Sequence, residues 1–367
     1  MKTKFFYLIS LILIMACRDE DKPGNRPIPS GPDNTKQIIE GWSVPLNFVV
    51  DGGVGKDGIP AIDQPKFISS DKAHYLHDND LIIGLKFGNE IRAYPHKILD
   101  KHEIVNDIVN NQPLTVSLCP LTGTAVGLKR IVNGTETTFG VSGLLYNSNL
   151  ILYDRATDNN WSQMRWQSVN GSLICDTLAT FPLVETTWGT WKYLYPNSQV
   201  MSKETGFDRN YDALPFSAIV GENDPTRFPV SSSDDRLPNH RRVHGIIVDG
   251  EVKVYKLESF ERENRVIEDI FLTKEIVLAG DADKNFIVSF ERKLNDGTRL
   301  AFQAVDKDNG IVMSDNEGNL WNIFGEAIEG PRKGQVLETT KSFMGYWFAW
   351  ASVYPDPEIH DLDPSDN

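Results

Sequence analysis

Two side chains in the first half of the chain, His102 and Cys119, have the chemistry to bind a metal ion or to act in catalysis. An inward-facing histidine beside Glu103 could serve as a metal ligand or as a general base. Cys119 opens the sequence Cys-Pro-Leu-Thr-Gly-Thr, a rigid corner after an expected strand, where a thiol could be a ligand or a nucleophile. The alternatives are a buried histidine with a structural hydrogen bond, and a buried cysteine or one half of a Cys119–Cys175 disulfide.

Four further side chains could support such a site. Met164 could complete a soft copper site with the thiol and the imidazole, although a methionine beside tryptophans more often packs in a core. Asp154, Arg155 and Gln163 are secondary candidates, and Asp154 or Gln163 could orient the metal ligands. Thiolate and imidazole together favour copper or zinc as the cofactor.

Several catalytic signatures are absent from the sequence. No second histidine follows His102 at the zinc-protease spacing, and residue 122 is threonine, so Cys119 lacks a Cys-x-x-Cys partner. Gly140-Val141-Ser142-Gly143 is not a serine-hydrolase elbow, and no phosphate-binding or dinucleotide-binding glycine pattern occurs. Three hypotheses remain: a metal or redox site, an enzyme with Cys119 as nucleophile and His102 as base, and a non-catalytic module that binds a ligand or a partner.

The elements that must position these residues are mostly short strands. Leu81–Phe87 and Glu90–Tyr94 predict a hairpin, and Asp249-Gly250 between two apolar runs predicts another. Pro95–Val105 predicts a helix whose inner face carries His102. The chain is therefore expected to be mainly β, with short strands and few short helices.

An internal duplication is the most informative long-range pattern. Four large or constrained residues recur at one offset (347 − 188 = 159): Trp188, Trp191, Tyr195 and Pro196 precede Trp347, Trp350, Tyr354 and Pro355. Fixed-offset recurrence predicts two tandem related domains. The second copy lacks counterparts of His102 and Cys119, so these two are better site candidates than the shared aromatic residues, which we interpret as packing.

The N-terminus predicts a lipid anchor. Lys2 and Lys4 precede an apolar run from Phe5 to Met15, and Ala16-Cys17 follows as in a bacterial lipobox. The run is too short to span a bilayer and fits a signal peptide. Cleavage before Cys17 and lipidation of its thiol would place the protein outside the cytoplasm on a membrane, on either face of the outer membrane; the alternative is an ordinary signal peptide.

Composition gives the remaining boundaries and limits the partners. The predicted segments are a signal peptide (1–16), a flexible tether (17–40), a first domain with the candidate site (41–203), a connector (204–236), a degenerate second domain (237–355) and an acidic tail (356–367). The net charge is −14, from 37 Lys and Arg against 51 Asp and Glu. Such a chain repels phosphate backbones, so nucleic acid is not an expected partner. A small-molecule or protein partner stays open.

A set of motifs in the first half resembles one bacterial family. The motifs are Asp57-Gly58-Ile59-Pro60-Ala61-Ile62-Asp63, Arg92-Ala93-Tyr94-Pro95, His102-Glu103-Ile104-Val105-Asn106-Asp107, Cys119-Pro120-Leu121-Thr122-Gly123-Thr124-Ala125, Phe139-Gly140-Val141-Ser142-Gly143, Asn147-Ser148-Asn149-Leu150 and Tyr153-Asp154-Arg155. Together they resemble domain-of-unknown-function family 3179. The resemblance implies a secreted or membrane-anchored bacterial protein and supplies no reaction. Some relatives carry cysteine where this chain has Thr122, so a dithiol mechanism does not carry over.

Overall fold

A computed structural model of the protein describes residues 41–260, 265–305 and 310–360. The expected signal peptide, Cys17, the tether and residues 361–367 of the acidic tail lie outside these ranges. Within them, no helix combines the length and the apolar character needed to cross a membrane.

The first half of the described chain consists mainly of short strands. They are β1 Val49–Asp51, β2 Phe67–Ser69, β3 Leu81–Phe87, β4 Glu90–Pro95, β5 Ile104–Val109, β6 Gln112–Cys119, β7 Thr124–Lys129, β8 Ile131–Val132, β9 Thr135–Glu136, β10 Phe139–Tyr146, β11 Asn149–Asp154, β12 Asn160–Ser162, β13 Gln167–Asn170, β14 Thr180–Phe181, β15 Val184–Thr187 and β16 Gln199–Met201. Two helices interrupt them, α1 His96–Leu99 and α2 Trp188–Leu194.

The second half follows a short helix in the connector, α3 Phe216–Ile219. Its strands are β17 Arg242–Val248, β18 Glu251–Lys256, β19 Arg265–Phe271, β20 Lys274–Asp281, β21 Phe286–Glu291, β22 Phe302–Ala304, β23 Ile311–Asp315, β24 Leu320–Asn322, β25 Ala327–Glu329, β26 Ser342–Tyr346 and β27 Glu358–Ile359, with α4 Trp347–Val353 before β27. Strands hold 44% of residues and helices 10%, so the mainly β prediction is confirmed. Three single 3₁₀ turns complete the described elements: Leu46–Phe48, Ser70–Lys72 and Leu257–Phe260.

The main sheets of the two halves have corresponding strand orders. In the first half the orders are β15-β3-β4-β16-β2, β14-β7-β6-β5 and β1-β10-β11-β12-β13. In the second half they are β26-β17-β18-β27, β19-β20-β21 and β22-β23-β24-β25. Strands β8 and β9 form a separate two-stranded ribbon. The tandem duplication itself stays a prediction, with which these orders agree.

The same tyrosine–aspartate hydrogen bond occurs in both halves. The Tyr94 hydroxyl on β4 donates to Asp107 Oδ2 on β5 over 2.6 Å. The Tyr255 hydroxyl on β18 donates to Asp269 Oδ2 on β19 over 2.7 Å. Each tyrosine is fully buried, and its hydroxyl needs a partner there. The pairing explains why both sequences carry a tyrosine and a following aspartate.

The tryptophans of α2 and α4 join the two halves. Trp188 and Trp191 lie in a hydrophobic cluster with Phe290 and Trp321 of the second half. The α4 tryptophans lie in another cluster that contains Cys119 and other first-half residues. Large buried aromatic side chains contribute much apolar area to a core. These clusters therefore bind the halves to each other, and the interpretation of the aromatic residues as packing agrees with their burial.

The helix predicted at Pro95–Val105 is wrong beyond its first turn. Helix α1 ends at Leu99, because Glu103 adopts a φ of +59° and the next residues pair as β5 with β6. His102 is nevertheless fully buried, now in the turn that leads into β5. The hairpins of β3 with β4 and of β17 with β18 form as predicted.

Candidate functional site

Both ring nitrogens of His102 are engaged in hydrogen bonds. Nδ1 lies 2.7 Å from the Pro60 carbonyl oxygen, and Nε2 lies 2.6 Å from the Tyr211 hydroxyl of the connector. A carbonyl can only accept, so Nδ1 carries the hydrogen and Nε2 accepts from Tyr211. Burial lowers the pKa of His102, which keeps the ring neutral. No lone pair of the ring is left for a metal ion unless Tyr211 is displaced.

Cys119 is a free, fully buried thiol at the end of β6. The Cys119–Cys175 disulfide considered as an alternative is therefore not formed. The Sγ atom lies 3.8 Å from the Ser148 carbonyl oxygen, to which the thiol donates. Burial, followed by the nearby Glu103 carboxyl, raises the pKa of Cys119 to about 11. At neutral pH the residue is thus the protonated thiol and not the thiolate that attacks carbon or binds metal.

Glu103 contributes an acidic group rather than a partner for His102. Its side chain is buried, and burial together with Asp100 raises its pKa to about 8. The carboxyl is thus mostly protonated at pH 7. His102, Glu103 and Cys119 are not hydrogen-bonded to one another through their side chains. Across the described ranges, no group of three or more His, Cys, Asp or Glu side chains is arranged to hold a metal ion.

Gln163 lies against the turn that follows Cys119. Its Oε1 accepts from the Thr124 hydroxyl over 2.6 Å and from Asn149 Nδ2 over 2.8 Å. Its Nε2 donates to the Ser117 hydroxyl over 3.0 Å. Asn149 also donates to the Thr122 hydroxyl over 2.9 Å. All these groups are buried, and their mutual hydrogen bonds fix the backbone of the turn.

Asp154 has a structural partner that recurs in the other half. Its Oδ2 accepts from Trp161 Nε1 over 2.9 Å, and its Oδ1 accepts from the Thr157 amide over 2.7 Å. Asp315 accepts from Trp321 Nε1 over the same 2.9 Å. Because both halves use this contact, Asp154 closes a β-hairpin and does not orient Cys119 or His102.

The remaining sequence candidates are separated from a common site. Met164 is fully buried in the hydrophobic cluster of Cys119 and Trp166, where its contacts are packing contacts. Arg155 lies near the surface and makes two hydrogen bonds from NH1 to the Asp63 carboxylate, at 2.9 and 3.0 Å. The described residues thus do not assemble the metal-binding group expected from the sequence.

The turn after Cys119 makes a contact between the halves, and an equivalent contact occurs on the other side. The Thr122 carbonyl accepts from the Tyr346 amide over 2.8 Å, immediately before α4. In the second half the turn after β20 occupies the corresponding place, since β6 ends at Cys119 and β20 ends at Asp281. There the Lys284 carbonyl accepts from the Thr187 amide over 3.3 Å, immediately before α2. Each half therefore presents its turn to the strand–helix boundary of the other.

Buried ionisable groups from both halves surround the first of these contacts, whereas the second has beside it the buried Asp281, which is paired with Lys284 of its own turn. Arg242 NH1 donates to the Gly123 carbonyl over 3.3 Å, and Arg242 NH2 is bonded to Glu185 Oε1. His96 Nε2 lies 3.8 Å from the same Glu185 oxygen. We call Glu185, Arg242 and His96 the junction cluster. It lies beside the Cys119 turn and draws on both halves.

The junction cluster leaves three buried polar atoms without partners. They are Glu185 Oε2, His96 Nε2 and Arg242 Nε, none of which has a hydrogen bond within the described ranges. Burial lowers the pKa of His96, the Glu185 charge opposes this and Arg242 adds to it, so the ring is neutral at pH 7. Unpartnered buried polar atoms are uncommon in proteins and are expected where a water or a ligand binds.

A cavity of about 110 Å³ adjoins the junction cluster. We call it the central cavity; it is lined from the first half by Trp166, Phe181 and Glu185 and from the second by His244, Ser289 and Phe290, among others. His244 Nε2 lies 2.8 Å from the Ser289 hydroxyl, while its Nδ1 is buried without a partner. Burial lowers the pKa of His244 to about 3, so this ring is also neutral.

Sequence reasoning missed Glu185, Arg242, His96 and His244. A signal existed for all four, and the predicted duplication aligns Glu185 with Met344 and His96 with Leu257. Charged or polar residues confined to one copy were the criterion that selected His102 and Cys119, and it selects these equally well. The same criterion marks Arg242 and His244, because the 161-residue offset between Tyr94 and Tyr255 places Leu81 and Ile83 at the corresponding positions of the first copy.

A family profile matches residues 56–357, and its description is "Protein of unknown function" with the designation DUF3179. No curated protein and no solved structure matches the chain.

Proposed function

The chain belongs to the DUF3179 family, which comes with no assigned reaction, and from its own residues we propose that it is a binding protein for a small polar molecule held in the central cavity. One observation carries the proposal. Glu185 and His244 line one cavity from opposite halves, and each has a buried polar atom without a hydrogen-bond partner among the described residues. Apolar walls with a few convergent polar groups are typical of ligand sites.

The size of the cavity limits the ligand. A water needs roughly 10–15 Å³ of such space, and a dry engineered cavity of about 150 Å³ accepts benzene. A volume of about 110 Å³ therefore suits a molecule of about four to six non-hydrogen atoms. Binding at the boundary between the halves would also stabilise their association, since a ligand that binds only the folded state adds to its stability.

A stability screen tests the proposal. Small polar molecules of four to six heavy atoms are added singly to the purified protein, and the free energy of unfolding is measured. A true ligand at one hundred times its Kd adds about 2.7 kcal/mol. Ser289→Val, which replaces a cavity hydroxyl by an apolar group, should abolish the effect. The proposal fails if no molecule stabilises the protein, or if the variant responds as strongly as the parent.

We do not adopt a copper or zinc site at Cys119 and His102. The ring nitrogens of His102 have partners, and burial holds the Cys119 thiol in its protonated form. A cysteine-dependent enzyme meets the same objection, because the thiolate is the nucleophile. Metal content of the protein after exposure to copper and zinc, compared with Cys119→Ser, distinguishes the hypotheses: one equivalent lost in the variant would reinstate the metal site.

We also propose that the protein is an extracytoplasmic lipoprotein, attached to the outer membrane through Cys17. The support is the lipobox pattern of residues 1–17 and the polar tether that follows. Two or more acyl chains are needed for stable attachment. Incorporation of a labelled fatty acid by the parent and not by Cys17→Ser is the expected result; equal labelling of both would exclude this anchor.

A further inference from the structure

The second half contributes a group of hydroxyls to the lining of the central cavity. Ser289 Oγ lies 2.5 Å from Thr340 Oγ1 and 3.0 Å from Ser342 Oγ, and the Thr340 hydroxyl donates to Ser342 Oγ over 2.9 Å. His244 Nε2 completes the group through Ser289. We call Ser289, Thr340, Ser342 and His244 the hydroxyl cluster. All four residues line the cavity.

The ionisable groups around the cavity leave no net charge for a charged ligand to complement. Glu185 lines the cavity and is already paired with Arg242, which lies outside the lining, so an incoming anion would meet a carboxylate and an incoming cation would meet a carboxylate whose charge is already balanced. His244 is neutral, and Lys341, which also lines the cavity, is an exposed residue whose ammonium keeps its water. The electrostatics therefore favour an uncharged molecule.

The free polar atoms define the hydrogen bonds that this molecule must make. Glu185 lines the cavity, and its unpartnered Oε2 is an acceptor that only an N–H or O–H donor can satisfy; the atom is buried in this structure, so the carboxylate must turn toward the ligand to accept from it. The hydroxyls can each donate or accept, and His244 Nδ1 is a second free atom. A ligand that carries both a donor and an acceptor, as a primary amide does, offers a donor to Glu185 and an acceptor to the hydroxyls.

We infer that the central cavity selects small uncharged molecules with adjacent donor and acceptor groups, of which the primary amide is the simplest, and that the hydroxyl cluster recognises them. This inference rests on the proposed function. It adds the chemical class of the ligand and names Thr340 as a residue that determines specificity.

Three probes of the same shape test the preference for an uncharged ligand separately from binding in the cavity. Acetamide, acetate and acetamidinium share one shape and differ in charge: neutral, negative and positive. Their dissociation constants are measured by ligand-observed NMR on the purified protein. Acetamide should bind at least tenfold more tightly than either ion. Equal or tighter binding of an ion would overturn the class while cavity binding stands; no binding of any probe would overturn the proposed function as well.

Variants test the recognition by hydroxyls. Thr340→Val keeps the side-chain shape and removes the hydroxyl, so it should weaken acetamide at least fivefold, whereas Thr340→Ser should retain the parent affinity. Ser314→Ala is the matched control, because the Ser314 hydroxyl is buried and unpartnered but does not line the cavity. Unchanged affinity in Thr340→Val, or an equal loss in Ser314→Ala, would overturn the inference. If Thr340→Val does not fold, the probe series on the parent and Thr340→Ser still decides it.

Discussion

Substitution of Gly123 by alanine should destabilise the protein more than the same change at Gly134. Both glycines have left-handed backbones, with φ of +60° and +76°. A Cβ at Gly123 would lie 3.0 Å from two carbons of the Tyr346 ring, whereas one at Gly134 would have no neighbour within 4 Å. The pair therefore separates backbone strain from contact between the halves.

The surroundings of Tyr346 give the expected magnitude. An L-residue in this backbone region costs about 1–2 kcal/mol, which both variants incur. The Tyr346 ring cannot move away easily, since its backbone amide is bonded to Thr122 and the His240 ring packs against it at 5.0 Å between centroids. Forcing an extra carbon into such packing costs about 1–3 kcal/mol more. Gly134→Ala should thus lose about 1–2 kcal/mol and Gly123→Ala about 2–5 kcal/mol.

Urea unfolding of the parent and both variants measures the difference. The slope of the free energy against urea should stay constant, so that the midpoints report stability directly. Losses that agree within about 0.5 kcal/mol would refute the packing of the Cys119 turn on Tyr346, because strain alone would then account for both changes.

Three further predictions concern the buried groups. Glu185→Gln should lower the free energy of unfolding in urea by about 3 kcal/mol, because it leaves Arg242 charged without its buried partner. Asp78→Asn, which breaks an exposed ion pair with Lys192, should lower it by under about 1 kcal/mol, and equal losses would refute the burial of the Glu185–Arg242 pair. Cys119 should resist iodoacetamide at pH 7 and react only after unfolding, as mass spectrometry would show, since burial raises its pKa to about 11. Burial lowers the pKa of His244 to about 3, so between pH 6.5 and pH 4.5 this histidine takes up a proton in the unfolded state only. From pH 7 to pH 4.5 the free energy of unfolding of the parent should therefore fall by about 2–3 kcal/mol more than that of His244→Gln. An equal fall in both would contradict the burial of His244.

Local chemistry determined what could be predicted about the fold. The turn at Asp249-Gly250 was identifiable because both residues adopt positive φ, at +51° and +88°, which few other pairs tolerate. The end of the predicted helix was not identifiable, since it depends on pairing of β5 with a strand that follows it. Ile98 and Leu99 are buried on α1, as the helical periodicity predicts. The periodicity does not indicate the residue at which the helix ends.

The candidate site could also be predicted only as far as local sequence determines it. The burial of His102 and Cys119 follows from the apolar residues around them in the sequence. Their hydrogen-bond partners come from distant residues, such as Tyr211, which lies 109 positions from His102. The Glu185–Arg242 pair likewise joins residues 57 positions apart in different halves. Residue type identifies groups capable of chemistry, and only the packing of the halves decides which of them remain without a partner.

A crystal structure of the purified protein grown with acetamide tests the central claim most directly. The account predicts continuous density for a four-atom molecule in the central cavity, within hydrogen-bonding distance of Glu185 Oε2 and of the hydroxyl cluster. The crystals are grown at an acetamide concentration well above the Kd measured by NMR. Separate water peaks at these atoms would contradict the account, and the cavity would then be a hydrated space between the halves.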